Sequence, residues 1–425
     1  MEVLNLTLIT TAKDYNVGMS ILYDTILHLD WRMVVMWVIG ALLIYLAIKR
    51  EMEPTLLLPI GFGAIAVNLP LSGIVTRYIQ DGVYLSMTEF NAMVDAARVN
   101  DPLISDAAVA LANGVTIQHG FLTELFNMGI SNELFPLILF IGIGAMIDFG
   151  PLLTHPKLMI FGAAAQFGIF FTLCLASVFS PEIRDAASIA VIGAAAGPTA
   201  IVVAQQLKSQ YVGAIMVAAY SYMALVPIIQ PPIIKLLTTK KERMIRMPYE
   251  QKSVSKTTKI LFPIVITIVV GLIAPASVSL IFALMFGNLL RECGVLDSLS
   301  KTASDVLANL ITIFLGITIA SQMQFTEFLR LDTLVILGLG LVAFVMDTAG
   351  GVLFAKLLNL ISKKKVNPMI GAAGISAFPM SGRIVHKMGL AEDPQNFLLM
   401  HSIGVNVSGQ VASVIAGGLI LSFFG

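Results

Sequence analysis

Charged residues are scarce in this chain of 425 residues. Only 12% are Asp, Glu, Lys or Arg, about half of the roughly 25% that is typical of soluble domains. The 26 basic and 26 acidic residues give a formal net charge of zero, which argues against nucleic acid as a partner. Hydrophobic residues make up 57% of the chain, and the mean hydropathy is +0.88. This composition predicts an all-α, polytopic protein embedded in membrane lipid.

Cysteine is nearly absent, and so are the motifs of several enzyme classes. Cys174 and Cys293 cannot form a disulfide framework or a CxxC metal pair. The sequence has no HExxH, P-loop or GxSxG motif, and its five histidines show no metal-ligand spacing. Lys387 does not lie in the Met-Lys-Met context of a biotin attachment site. We therefore expect no transition metal and no biotin attached to this chain.

We also expect no cleavable signal peptide. Residues 1–30 mix apolar and charged side chains, without a clean apolar core or a small-residue cleavage site. We expect an amphipathic flank to the first span, and a disordered tail is the alternative.

Long apolar runs occupy most of the remaining sequence. A helix needs about 20 apolar residues to cross the hydrocarbon core. The runs predict ten to twelve membrane elements, several of them short or interrupted by Gly and Pro. They are Trp31–Ile48, Thr55–Ser72, Leu134–Phe149, Leu158–Phe179, Ala186–Ala204, Val212–Leu237, Ile260–Ala274, Val278–Leu290, Val306–Ser321, Thr333–Ile361, Pro368–Ile384 and Phe397–Phe424.

Two basic clusters predict the topology. Segment 235–259 holds eight Lys or Arg residues and two Glu, and Lys363–Lys365 forms the second cluster. The positive-inside rule makes the first cluster cytoplasmic, and the four intervening spans return the second to the same side. The prediction is a first membrane half at 31–236, a basic cytoplasmic loop at 237–259 and a second membrane half at 260–425. The polar stretch Arg77–Asp106 is predicted to be an extramembrane loop with an amphipathic helix.

Similar Gly-rich breaks occur in the two halves. Ile192–Ala196 precedes Gly197-Pro198, and Ile370–Gly374 precedes Pro379. These fragments, like the pair Ile141–Ile143 and Leu315–Ile317, are separated by about 175 residues, and interrupted spans at matching points of two halves indicate a transport site. We predict two repeat-like halves with broken helices. Ordinary packing of small residues is the alternative.

Polar residues collect around the second break. Asn367, Ser376 and Arg383 flank it, and Asn406 lies in the last span. The oxygens of the Asn and Ser side chains, with carbonyls freed by the break, suit a hard cation such as sodium. The guanidinium of Arg383 suits a carboxylate instead. Asp347 lies in the middle of a span, where an acid is costly and is a functional candidate.

Several runs resemble the β subunit of the sodium-translocating, biotin-dependent decarboxylases, the oxaloacetate, methylmalonyl-CoA, glutaconyl-CoA and malonate decarboxylase group. The likeness covers most of the chain after residue 30, and the tyrosine and Gln-Pro-Pro run is the most specific part. The runs are 43–49, Glu53-Pro54, 59–63, 148–153, 218–232 and 367–371.

The resemblance implies a function and a set of partners. It implies that carboxybiotin carried by a partner subunit loses CO2 here, that a proton is consumed, and that sodium is exported from the cytoplasm. The implied partners are biotin-carrier and carboxyltransferase subunits and a small γ-type membrane subunit. The chain is then expected to form a homo-oligomer in the cell's inner membrane, with elevator-like alternating access.

The resemblance also implies roles for individual residues. Asn367, Gly371, Ser376 and Asn406 correspond to sodium-binding residues. Tyr222 corresponds to the hydroxyl that couples proton and ion, and Arg383 to the residue near carboxybiotin.

The sequence departs from the family pattern at two places: Val405 precedes Asn406 where the family has Pro-Asn-Val, and the more important departure is at the first break. The family break reads Gly-Ala-Asp-Gly-Pro-Thr, whereas this chain has Ala196 in place of the coupling aspartate. A methyl group can neither bind a cation nor carry a proton. Three explanations are open: a natural relative with altered coupling, an inactivated alanine variant, or a substitute acid, for which Asp347 is the candidate.

The sequence favours a carboxybiotin decarboxylase subunit of a sodium pump. A secondary sodium/proton antiporter is one rival, because broken-helix repeats fit it equally well. A non-catalytic membrane scaffold of the same complex is the other rival, because Ala196 occupies the position of the family's coupling aspartate.

Overall fold

Helices dominate the structure. The computed structural model describes residues 26, 28–80, 83–85, 87–180, 182–248 and 253–425, so the predicted N-terminal flank lies almost entirely outside the described residues. The α-helices are α1 Trp31–Arg50, α2 Pro54–Val67, α3 Met87–Asn100, α4 Asp106–Ala112, α5 Phe121–Gly129, α6 Leu134–Met146, α7 Gly150–Thr154, α8 Met159–Ala165, α9 Phe167–Phe179, α10 Ile183–Ala190, α11 Gly197–Gln206, α12 Val212–Leu237, α13 Lys240–Arg243, α14 Lys256–Ile273, α15 Val278–Glu292, α16 Asp297–Lys301, α17 Ala308–Ala320, α18 Phe325–Phe328, α19 Leu331–Ile361, α20 Met369–Ala372, α21 Met380–Glu392 and α22 Leu399–Phe424.

Short elements complete the architecture. Three 3₁₀ segments cover Pro156–Leu158, Val191–Ala194 and Pro275–Ser277, and a π-helical turn at Thr302–Leu307 joins α16 to α17. The strands are β1 Arg77–Gln80, β2 Val83–Leu85 and β3 Val115–Gln118.

Seven continuous helical stretches in the described part of the chain are long and apolar enough to cross a bilayer, or eight if a bent pair is one span. The seven are Trp31–Arg50, Pro156–Phe179, Val212–Leu237, Lys256–Ile273, Asp297–Ala320, Leu331–Ile361 and Leu399–Phe424. The bent pair is α5 with α6, which turn by 64°.

The all-α, polytopic fold is confirmed, but ten to twelve membrane elements are not. Predicted spans such as Thr55–Ser72 and Ala186–Ala204 are short or broken helices: the first contains the 14-residue α2, and the second comprises parts of α10 and α11 around a 3₁₀ turn.

The two basic clusters lie at the same end of the helices, as predicted. Lys356, near the end of α19, donates from Nζ to the carbonyl of Leu237 at 3.0 Å and lies 3.2 Å from a Glu242 oxygen. Four helices, α14, α15, α17 and α19, separate the clusters along the chain. The excess of Lys and Arg is what the positive-inside rule associates with the cytoplasmic side, so the cytoplasmic assignment of this end stays a prediction.

The polar stretch after α2 forms a small domain at the opposite end. Its antiparallel sheet has the order β2-β1-β3, with Tyr78 opposite both Leu85 and Ile117. The amphipathic helix α3 packs against it, and the Tyr78 and Phe90 rings stack at 4.0 Å. The sequence prediction included the helix but not the sheet.

Close contact between helices depends on glycine. A Cβ on Gly40 of α1 would lie 2.6 Å from the carbonyl oxygen of Gly61 in α2. A Cβ on Gly144 of α6 would lie 1.9 Å from the Leu284 oxygen in α15. Small residues let backbones approach in this way because helices in lipid associate mainly through van der Waals packing.

Asn68 joins α2 to the loop after α17. Its side-chain amide donates to the carbonyls of Ala64 and Met323, both at 2.7 Å, and its Oδ1 accepts the Phe325 N–H at 2.7 Å. The side chain is buried, so all its polar atoms are satisfied within the protein.

We expect Asn68→Leu to lower the unfolding temperature of the purified protein in detergent. The substitution leaves the Met323 carbonyl and Phe325 N–H without this partner, which costs about 1–3 kcal/mol per buried group. Differential scanning fluorimetry measures the change, and Asn100→Ala, on an exposed helix end, is the control. Equal unfolding temperatures for the two variants would show that Asn68 does not hold this junction.

Candidate functional site

Two interrupted helices meet in the protein interior. The first interruption lies between α10 and α11, where the 3₁₀ turn Val191–Ala194 is followed by Ala195 at φ +49°. The second runs from Ala373 to Pro379, between α20 and α21. The Ser376 N–H donates to the Ala194 carbonyl at 3.0 Å. The two breaks predicted from the sequence are therefore in direct contact.

The last helix, α22, supplies polar side chains to the point where the two breaks meet, which we call the crossing. Asn406 donates from its amide to the Ile375 carbonyl at 2.7 Å, and the Gln410 amide donates to the Ser376 carbonyl. The Ser376 hydroxyl donates to the Gly409 carbonyl at 3.1 Å. These contacts satisfy groups that the break leaves without helical partners. Asn406 and Ser376, both predicted site residues, are thus brought together, while Gln410 was not predicted.

One oxygen at the crossing remains available. Asn406 Oδ1 is buried and has no hydrogen-bond partner among the described residues. A buried polar atom without a partner is costly, and an amide oxygen is a suitable ligand for a hard cation.

Gly371 places the second break against α19. A Cβ on Gly371 would lie 2.0 Å from the Gly351 oxygen, and a Cβ on Gly351 would lie 2.1 Å from the Gly371 oxygen. The backbones of the two segments are therefore in contact, and glycine is required on both sides.

Asp347 lies on the same helix between its contacts with the two breaks. A Cβ on Gly193, in the first break, would lie 3.1 Å from the Ala343 Cβ. Ala343, Asp347 and Gly351 are spaced at i, i+4 and i+8, so they share one face of α19. The Asp347 side chain is therefore directed to the face that receives both breaks.

The Asp347 carboxyl group is fully buried. It faces the backbone of Gly168 and Ile169 in α9, but neither oxygen has a hydrogen bond of ordinary geometry with a described residue. A buried carboxylate charge is very costly unless a cation or a proton neutralises it. Asp347 faces protein rather than lipid, which meets one of the two requirements of the substitute-acid hypothesis. The other requirement is a position close to Asn367 and Tyr222.

Ala196 is the last residue before α11. It is 4% exposed and occupies the N-cap position, without a side-chain cap. The adjacent Gly197 lies against the ring of Tyr220, where a Cβ would be 2.5 Å from Cζ. The Tyr220 hydroxyl and Thr199 Oγ1 are buried and have no hydrogen-bond partner among the described residues. The position of the missing acid is thus packed among small and polar groups.

Tyr222 binds to α19 away from Asp347. Its hydroxyl donates to the Leu337 carbonyl, ten residues before Asp347, which corresponds to about 15 Å along the helix axis. The structure does not bring the predicted coupling hydroxyl to the substitute acid.

Asn367 is held by the basic loop that follows α12. Its amide donates to the carbonyls of Arg243 and Ile245 at 2.8 and 2.9 Å, and its Oδ1 accepts the Met369 N–H at 3.1 Å. These partners differ from those of Ser376 and Asn406. The structure therefore places Asn367 just before α20, the short helix that leads into the second break, and anchors it to the loop.

The same loop is joined to the end of α21 by ion pairs. Arg243 lies 2.7 Å from Glu392, and Arg246 lies 2.6 Å from Asp393. The hydrogen bonds from Arg246 lower the pKa of Asp393 below its ordinary value.

Arg383 is exposed on the first turn of α21, on the side of the molecule that holds Glu53. Glu53 precedes α2 at φ +36°, and its hydrogen-bond contact is Thr55 Oγ1 at 3.4 Å. Burial raises the pKa of Glu53, and the charge of Arg383 partly opposes this effect. The guanidinium is thus accessible, as a residue that meets a carboxylated ligand must be.

A second polar network joins the two sides of the second break. Gln230, from the Gln-Pro-Pro run of α12, donates to the Ala372 carbonyl at 2.7 Å and to Ser381 Oγ at 2.8 Å. Gln230 and Gln410 are both polar residues in apolar helices, which is the sequence signal that would have identified them.

Comparison with known proteins gives a consistent result. The sequence model of the family described as "Na+-transporting oxaloacetate decarboxylase beta subunit" matches residues 32–424. The "probable oxaloacetate decarboxylase beta chain" of Vibrio cholerae is 44% identical over 417 residues, covering 93% of this chain and 96% of that protein. The "oxaloacetate decarboxylase beta chain" of Klebsiella pneumoniae is 43% identical over 418 residues, covering 94% and 96%.

A relative with a different named substrate is equally similar. The "methylmalonyl-CoA decarboxylase subunit beta" of Propionigenium modestum is 46% identical over 395 residues, covering 92% of this chain and 95% of that protein. Both the extent of the match and these identities confirm the resemblance deduced from the sequence runs. The chain belongs to the family of Na+-transporting oxaloacetate decarboxylase beta subunits.

Proposed function

We propose that this chain releases CO2 from carboxybiotin presented by a partner subunit and couples that step to sodium export across the inner membrane. The observation that carries the proposal is the crossing of two broken helices beside a fully buried carboxyl group, Asp347. The family match and the curated relatives, which are named as decarboxylase β subunits, support the reaction class. The acid or acyl-CoA that supplies the carboxyl group is selected outside this chain.

The sodium ion is the transported substrate, and the crossing offers oxygens that suit it. We assign Ser376 and Asn406 to the ion site, together with carbonyls that the breaks release from helical bonding. Gly371 acts through its backbone. Because the Asn367 amide is bonded to the cytoplasmic loop, we assign Asn367 a positioning role in this conformation.

Asp347 supplies the negative charge that Ala196 cannot. Loss of CO2 from N-carboxybiotin breaks the N–C bond and transfers a proton to the ring nitrogen, so each turnover consumes one proton. A buried carboxyl group holds either a proton or a cation, because the bare charge is too costly. Asp347 therefore makes proton binding and sodium binding mutually exclusive, so that sodium binding releases the proton, which is the basis of coupling.

Arg383 and Tyr222 act on the cytoplasmic reaction and on the helix that carries Asp347. The exposed guanidinium of Arg383 is placed to pair with the carboxylate of carboxybiotin. The Tyr222 hydroxyl, bonded to the Leu337 carbonyl, holds α12 to α19. Its separation from Asp347 gives it a positioning role in the conformation described.

The function is tested with the complete decarboxylase complex in liposomes, by measuring CO2 release from carboxybiotin and uptake of labelled sodium. We expect sodium to stimulate CO2 release and release to drive uptake. Release without uptake would identify an uncoupled decarboxylase. No release would favour a scaffold, and sodium transport driven by a pH gradient without carboxybiotin would favour an antiporter.

We expect Asp347→Asn to abolish sodium stimulation or to raise the sodium concentration for half-maximal stimulation by about tenfold or more, since the substitution removes the only charge assigned to the site. The control is Asp305→Asn, which removes an exposed acid at the cytoplasmic end. Titration of CO2 release against sodium measures the effect, with the unfolding temperature as a check on folding. A wild-type sodium response in the Asn variant would refute the role of Asp347.

We expect Ala196→Asp to restore or strengthen sodium dependence. The new carboxylate would occupy the N-cap of α11 and could accept the Thr199 N–H, which favours the same backbone geometry. The matched control, Ala196→Asn, caps the helix equally well but carries no charge. An unchanged sodium titration in the Asp variant, or the same change in the Asn variant, would contradict a role for charge at this position.

A further inference from the structure

A groove of about 570 Å³ opens at the cytoplasmic end of the bundle. It lies between the short helix α13 and the last turns of α19. Ligand pockets in proteins commonly have volumes of about 300–1,000 Å³. The groove therefore has the size of a ligand site, and the decarboxylation and ion-transport roles assigned above do not use it.

The charge of the groove is positive. Lys241, Lys356 and Lys365 line it, against the single carboxylate of Glu242. Glu242 is already engaged: it lies 3.2 Å from Lys356 and accepts the Thr239 N–H at 2.7 Å. The remaining positive charge favours an anion.

The rest of the lining is apolar and exposed. Leu353, Leu357 and Leu360 lie on one face of α19 at the groove, and they are 49%, 55% and 81% exposed. A soluble anion gains no binding energy from an apolar surface, whereas an acyl chain packs against it favourably.

The depth of the groove matches the lipid headgroup region. Helix α19 has 31 residues, or about 46 Å, whereas the hydrocarbon core is about 30 Å thick. If the core begins near Thr333, it ends about 20 residues later, close to Leu353. Lys356, three residues beyond, is then at the level of the phosphate groups, with the exposed leucines directed to the membrane boundary.

We propose that this groove binds an anionic phospholipid of the cytoplasmic leaflet, with the phosphate among the three lysines, the glycerol region against Leu357 and Leu360, and an acyl chain that enters the membrane core past Leu353. Basic pockets between helices at this level bind acidic headgroups elsewhere. The occupant is a lipid rather than free phosphate because the lining joins positive charge to exposed apolar surface.

The bound lipid would also stabilise the cytoplasmic loop. The loop residues Arg243 and Ile245 accept the hydrogen bonds of Asn367, which lies just before α20, the helix that leads into the second break. Lipid binding at Lys241 and Lys356 would therefore fasten α13 to α19 beside a segment that leads to the ion site.

The test uses the intact decarboxylase complex, equilibrated in mixed micelles with equal amounts of phosphatidylglycerol and phosphatidylcholine. The retained lipids are quantified by mass spectrometry. We expect wild-type protein to retain more phosphatidylglycerol than phosphatidylcholine. In the triple variant Lys241→Gln, Lys356→Gln and Lys365→Gln, the ratio of retained phosphatidylglycerol to phosphatidylcholine should fall by about tenfold or more. Arg at the three positions should preserve it, which separates loss of charge from loss of folding.

The matched control removes three lysines elsewhere on the same side. Lys49, Lys157 and Lys301 are exposed and do not line the groove, so their Gln variants should retain phosphatidylglycerol normally. Millimolar inorganic phosphate should not displace the lipid. Equal retention of phosphatidylglycerol in the groove and control variants, or its displacement by phosphate alone, would overturn the proposal. So would the finding that a partner subunit, and not a lipid, covers the groove.

Discussion

The hydrogen bond from the Ser376 N–H to the Ala194 carbonyl joins the two helix breaks on which the rest of the structure depends. In lipid, backbone groups that leave a helix must find partners inside the protein. Here each break supplies partners for the other, and the last helix supplies the remainder through Asn406 and Gln410. A polar interior can therefore exist at membrane depth without exposing any of these backbone groups to lipid.

This requirement explains the unusual composition of α22. The helix carries Ser, Asn and Gln on a buried side, and Gly409 lies so close to the second break that a Cβ would be 2.1 Å from the Gly374 oxygen. Any larger residue would push α22 away and separate Asn406 from the Ile375 carbonyl. The close approach and the polar contacts are consequently parts of one arrangement, and neither can be changed alone.

The sequence allowed the helical class, the breaks, the common end of the two basic clusters and the family to be predicted, because each depends on local composition or a run of residues. It did not allow the number of spans to be predicted, since a short broken helix and a full span have similar composition. The small sheet was missed because β2 has only three residues. The Asn367 contacts with Arg243 and Ile245 were missed because they join segments 120 or more residues apart.

The position of the acid has a consequence for coupling. An aspartate at residue 196 would lie on the break itself, whereas Asp347 lies on α19, an unbroken helix of 31 residues that touches both breaks. Export of one sodium ion against 100 mV costs about 2.3 kcal/mol, so ion occupancy must control the reaction or that energy is lost. With the charge on α19, the breaks can shift relative to the carboxyl group and alter its access to proton and ion. Under the proposed role of Asp347, coupling depends on the contacts of Gly193 and Gly371 with α19, so we expect these close backbone contacts to be as important as the acid.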